Sequence, residues 1–215
     1  MEYIKQSNET IALLRRLFKE LENASAGRLS TNDITPDRLL WEIFNKVFTI
    51  LVTCENSLNT KDSLTAHLVA RYTYEMLIVF AYIFLDKSKT QERTEQFLKF
   101  NQFKNTERAW TGKTYAQMFE SIPDKTRFLI HKTHYRNLSN FAHPTMDSFL
   151  LNRRGQQSEF LMMLSTILLT LRTILEIINI CFEENLYFDE KQKAMLNIVI
   201  ISSVAEKLMK ELRVV

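Results

Sequence analysis

Residues that interrupt regular secondary structure are scarce in this chain, which has 3 glycines and 3 prolines among 215 residues. An all-β fold needs many tight turns, and glycine and proline supply most of them, so the composition favours long helices. Hydrophobic residues make up 46% and charged residues 25%, as in an ordinary globular protein. The length suffices for one sizeable core, and we predict a single all-α domain over residues 1–215.

The chain also has little cysteine, and its few thiols are not arranged for metal binding. Cys54 and Cys181 stand alone in apolar segments without CxxC spacing, so we expect buried, reduced thiols. His131 and His134 lack a well-placed carboxylate or thiol that would complete a zinc site. The few dispersed glycines form no phosphate-binding loop. We therefore predict that the protein uses neither a metal nor another cofactor.

No hydrophobic run is free of charges over the length of a membrane span. Residues 160–182 are long enough, but Arg172 and Glu176 lie in their middle, where charges are costly in lipid. This segment is better explained as a core helix or as a helix packed against a second subunit. The N-terminal segment is amphipathic and lacks the apolar stretch of a signal peptide. We expect a cytoplasmic protein without a membrane span.

Hydrophobic spacing and capping residues predict about eight helices. Thr35 and Pro36 are suited to the N-cap and first turn of the second one. The last helix, at 189–212, either packs on the core or contributes to a dimer. The predicted helices cover residues 3–23, 36–58, 61–86, 89–103, 113–120, 123–142, 156–184 and 189–212.

The predicted helix over 61–86 combines an apolar second half with a polar stripe in its first half. The sequence "YEMLIVFAYIFL" indicates a central core helix. His67, Arg71 and Glu75 recur at every fourth residue before and into it. Two interpretations remain open, because Arg71 and Glu75 either only pair with each other or belong to a polar cleft shared with another helix.

Positive charge is concentrated in residues 121–154, which carry a net charge of +4, whereas the whole chain carries +3. Within this region, "HYRNLSNFAHP" covers residues 134–144. Arg136 and His143 are seven residues apart, so on a helix they project within roughly 20° of each other, opposite the apolar face. Pro144 disfavours helix at His143, which places the imidazole at a helix C-terminus, where the dipole favours its protonation.

The sequence "RNLSNFAH" resembles the active motif of the HEPN superfamily (higher eukaryotes and prokaryotes nucleotide-binding), an Arg followed by four to six residues and a His. Here Arg136 is followed by the polar Asn137, and six residues separate Arg136 from His143. The wider context resembles helical bacterial proteins related to HEPN, whose preceding helix carries an Arg and a Glu four residues apart. "RYTYE", with Arg71 and Glu75, matches that feature.

The resemblance implies a HEPN-like helical bundle of about six to eight helices with long antiparallel helices, and a core over about 36–184. It also implies a homodimeric, metal-independent endoribonuclease, acting as a toxin or in anti-phage defence and controlled by an antitoxin or another regulatory protein. His143 would be the acid or base, Arg136 would stabilise the phosphate, and Asn137 would orient His143 or bind a phosphate oxygen. The other expected roles are a supporting one for His67, Arg71 and Glu75, and RNA binding by Lys132, Arg153 and Arg154.

Alternative explanations of the motif remain open. A second match with the same spacing joins Arg127 to His134 on the other face of the same predicted helix. Arg136 and His143 also fit a capped, solvated helix end. The alternative function is that of a non-catalytic, HEPN-like helical dimer that binds a protein or a nucleotide.

Overall fold

The computed structural model of the chain describes residues 36–102, 111–123 and 156–181, together with eight helical positions between residues 5 and 19. These residues form helices and no strand, which confirms the predicted all-α class for the described part. A short 3-10 helix, Lys87–Lys89, precedes the third α-helix. The α-helices are α1 (Pro36–Thr60), α2 (Ser63–Phe84), α3 (Thr90–Gln102), α4 (Tyr115–Glu120) and α5 (Gln156–Cys181).

A two-residue link joins α1 to α2 and provides hydrogen-bonded caps at both helix ends. Lys61 adopts the left-handed conformation, with φ at 58°, and stops α1. The Asp62 amide then donates to the Ser57 carbonyl oxygen at 3.0 Å, completing a Schellman motif. The Asp62 carboxylate accepts from the Thr65 hydroxyl at 2.6 Å and caps α2 by accepting from the Thr65 amide at 3.0 Å, and these hydrogen bonds lower the pKa of Asp62.

Helix α2 is the centre of the described fold, because it contacts α1, α3, α4 and α5. Its second half is buried on all sides, as the run of apolar residues predicted. The most extensive contact is with α5, whose buried side chains recur every three or four residues. Residues of this core include Leu77, Ile83, Leu164, Ile167, Leu171 and Ile174.

Four buried threonines of α2 and α5 satisfy their hydroxyl groups within their own helices. Each hydroxyl lies within hydrogen-bonding distance of the carbonyl oxygen four residues earlier, at 2.7 to 3.0 Å. A buried hydroxyl without such a bond would cost about 1–3 kcal/mol. These bonds allow small β-branched polar residues to remain in the core. The four residues are Thr73, Thr166, Thr170 and Thr173.

A buried arginine connects the end of α2 to α3. Arg93 donates one hydrogen bond to the Tyr82 carbonyl oxygen in the last turn of α2. Its other terminal nitrogen lies 3.3 Å from the Asp86 carboxylate, and its guanidinium carbon lies 3.9 Å from the centroid of the Tyr82 ring. The Lys113 ammonium lies 5.1 Å from the same centroid. Arg93 thus holds three groups that come from the helix end and the following turn.

We expect Arg93→Met to lower the free energy of unfolding by about 1.5–3 kcal/mol, because charge-assisted hydrogen bonds to buried groups are lost. Urea unfolding followed by circular dichroism measures the change. Lys99→Met is the matched control, since Lys99 makes only an exposed pair with Glu95 at 3.3 Å and its loss should cost no more than about 0.5 kcal/mol. Equal effects of the two substitutions would contradict the assigned role of Arg93.

The predicted helix positions agree with the described helices to within a few residues. The main differences are at the start of α2, where Lys61 and Asp62 form the link, and before α3, where the 3-10 helix intervenes. The predicted helices over 123–142 and 189–212 lie outside the described residues, and the number and antiparallel arrangement of the helices stay predictions. Among the described helices, none is by itself long and apolar enough to cross a membrane. Helix α2 taken together with residues Lys87–Lys99 passes that test, but this pair is bent by 87°.

Candidate functional site

Three of the predicted site residues lie on α2, where the structure describes them fully: His67, Arg71 and Glu75. The proposed catalytic residues and the proposed RNA-binding residues lie outside the described residues. This holds for Arg136, Asn137, His143, Lys132, Arg153 and Arg154, and also for the second motif match at Arg127 and His134.

His67 lies in the interface between α2 and α5, with only 2% of its surface exposed. Its Nδ1 atom donates to the Ser63 carbonyl oxygen at 2.7 Å, one turn earlier on α2. Its Nε2 atom lies 3.2 Å from the Thr166 hydroxyl of α5. Both ring nitrogens therefore have partners, and one of these partners belongs to the neighbouring helix.

The Thr166 hydroxyl has one hydrogen and two possible acceptors. It lies 2.9 Å from the Met162 carbonyl oxygen as well as near His67 Nε2. With a neutral imidazole, the hydroxyl hydrogen serves Nε2 or the carbonyl, or is shared between them. With a protonated imidazole, Nε2 donates to Thr166 and the hydroxyl hydrogen is left for Met162. The hydrogen-bond partners of His67 are therefore compatible with either of its protonation states.

Burial decides which state of His67 is preferred. Removal from water penalises the charged imidazolium and lowers the pKa of His67, while the hydrogen bond to the Ser63 carbonyl opposes this in part. His67 is therefore neutral at pH 7, and its hydrogen bond with Thr166 joins α2 to α5.

We expect the protein to lose stability as the pH falls below about 6.5, the pKa of a histidine in an unfolded chain. Below this pH, His67 of the unfolded chain binds a proton that the folded protein binds only at the lower pKa of its buried His67. The free energy of unfolding therefore keeps decreasing down to that folded-state pKa and then levels off. Urea midpoints between pH 7.5 and 5 should therefore decrease more for the wild type than for His67→Gln. The other three histidines are common to both proteins. A His67→Gln protein whose urea midpoint changes with pH as much as that of the wild type would contradict this account.

Arg71 and Glu75, one and two turns beyond His67 on α2, form an ion pair. Arg71 Nε donates to Glu75 Oε1 at 3.1 Å, and the two side chains are 25% and 18% exposed. Their four-residue spacing makes them neighbours on the helix surface. The ion pair between Arg71 and Glu75 thus forms, and the structure does not decide between the two open interpretations. The partial exposure also leaves both charges accessible to an approaching anionic or cationic group.

The polar stripe is divided into two environments. His67 points into the contact with α5, whereas Arg71 and Glu75 lie at the boundary with solvent. His67 contacts another helix through Thr166 but is buried, so the polar cleft of the second interpretation stays a prediction. Chemically, the described site offers a neutral imidazole held inside the protein and an ion pair that remains partly hydrated.

Two features of the structure were not predicted from the sequence. One is the contact of Arg93 with the end of α2. The only indication of it in the sequence is that an Arg follows soon after a helix break. The other is an exposed apolar face on the first half of α2, formed by Leu64, Leu68 and Tyr72. Their spacing of four residues was visible, but the same spacing is typical of a buried face.

Cys54 is buried and free, as predicted, and burial raises its pKa to about 12. A thiol in this environment is an unreactive core residue. Burial was also predicted for the Cys181 thiol, and this side chain lies outside the part of the chain whose side chains the structure describes. Within the described residues, no three His, Cys, Asp or Glu side chains form a group that could hold a metal ion.

Comparison with known proteins adds no relative to these observations: no family model, no curated protein and no solved structure matches the chain.

Proposed function

We propose that the protein is a metal-independent endoribonuclease of the HEPN type and works as a homodimer. The observation that carries the proposal is the sequence "RNLSNFAH", in which Arg136, Asn137 and His143 have the identity and spacing of the HEPN motif. The helical class of the described residues is compatible with a HEPN-like bundle. The "RYTYE" feature of the resemblance adds Arg71 and Glu75 to the proposed site.

RNA carries its own nucleophile, so a site without a metal needs only proton transfer and charge stabilisation. His143 takes the proton from the 2′-hydroxyl group while water protonates the leaving 5′-oxygen, or His143 protonates the 5′-oxygen while water takes the 2′ proton. Arg136 holds the phosphate and stabilises the additional negative charge of the transition state. Asn137 orients His143 or binds a phosphate oxygen. The products of this reaction carry a 2′,3′-cyclic phosphate and a 5′-hydroxyl group.

Residues outside the motif have supporting roles in this proposal. Glu75 pairs with Arg71 at 3.1 Å, and in this proposal its carboxylate also fixes the Arg136 guanidinium. His67 maintains the position of α2 against α5 through Thr166. The basic side chains of Lys132, Arg153 and Arg154 bind the RNA backbone. Such binding should weaken with increasing salt concentration.

We expect Arg136→Ala and His143→Ala each to reduce RNA cleavage by roughly 100- to 10 000-fold, the range over which general acid–base groups contribute. The assay follows a mixed RNA pool in the presence of a chelator and identifies the ends of the products. Arg127→Ala is the matched control, because Arg127 belongs to the second match of the same spacing. It should cleave like the wild type.

Cleavage that depends on Arg136 and His143 and leaves cyclic phosphate ends supports the proposal. Cleavage that instead requires Arg127 would assign the site to the second motif match. Equal cleavage by all variants would contradict the proposal and indicate a contaminating nuclease or a different site.

We also expect Glu75→Gln to lower the rate of cleavage by roughly 10- to 100-fold, since a small misplacement of a catalytic group has effects of this size. RNA affinity should not fall, because the substitution removes a negative charge from a site that binds an anion. Glu95→Gln is the control, as Glu95 pairs with Lys99 on the exposed face of α3. If the Glu75→Gln protein cleaves RNA as fast as the Glu95→Gln protein, Glu75 is not part of the site.

The second candidate function is a HEPN-like dimer that binds a protein or nucleotide without cleaving RNA. The exposed apolar residues on the first half of α2 favour this alternative, because such a surface is typical of an interaction site. Expression in a bacterial host distinguishes the two functions. A nuclease that serves as a toxin or in defence should slow growth in a His143-dependent manner, and an antitoxin would relieve the effect. A binding protein should show no such dependence.

A further inference from the structure

We draw no further inference here: the strongest candidate, the exposed apolar row that Leu64, Leu68 and Tyr72 form on the first half of α2, carries none because nothing in the structure shows what covers it.

Discussion

The burial of α2 is the constraint on which the rest of the described structure depends. Because this helix contacts all the other described α-helices, its polar groups have little access to water and need partners inside the protein. His67 bonds the carbonyl of Ser63 and the hydroxyl of Thr166, and the Tyr82 carbonyl accepts from Arg93. The contacts between helices are thus specified by hydrogen bonds at both ends of α2, with apolar packing between them.

The sequence was sufficient to predict the helices, but not the faces that they bury. Few glycines and prolines, regular apolar spacing and polar breaks determine where helices begin and end. Helix α2 is apolar on most sides, so periodicity does not distinguish Leu68, which is exposed, from Leu77, which is buried. That difference depends on which neighbouring helices pack beside each half of α2, and this is a property of the whole fold.

The same limit applies to the candidate site. Positions four residues apart turn by about 40° around a helix, so His67 and Glu75 differ by about 80°. This rotation is enough for His67 to be enclosed by α5 while Glu75 remains at the solvent boundary. The sequence predicted that the three polar residues are neighbours, whereas their division between a buried and a hydrated environment required the position of α5. Arg93 was missed because its acceptor is a backbone carbonyl, which no side-chain pattern indicates.

The two-residue link between α1 and α2 has a consequence for how the polar groups of α2 are aligned. The Schellman motif at Lys61 and the Asp62 cap leave no freely rotating residue between the helices. The link therefore fixes not only the direction of α2 but also its rotation about its own axis. An inserted residue at this point would separate the Schellman motif from the Asp62 cap. The rotation of α2 would then depend on its packing alone, including the contact of His67 with Thr166. A connection that looks like a mere turn in the sequence thereby helps to set the azimuth of the functional groups on the central helix.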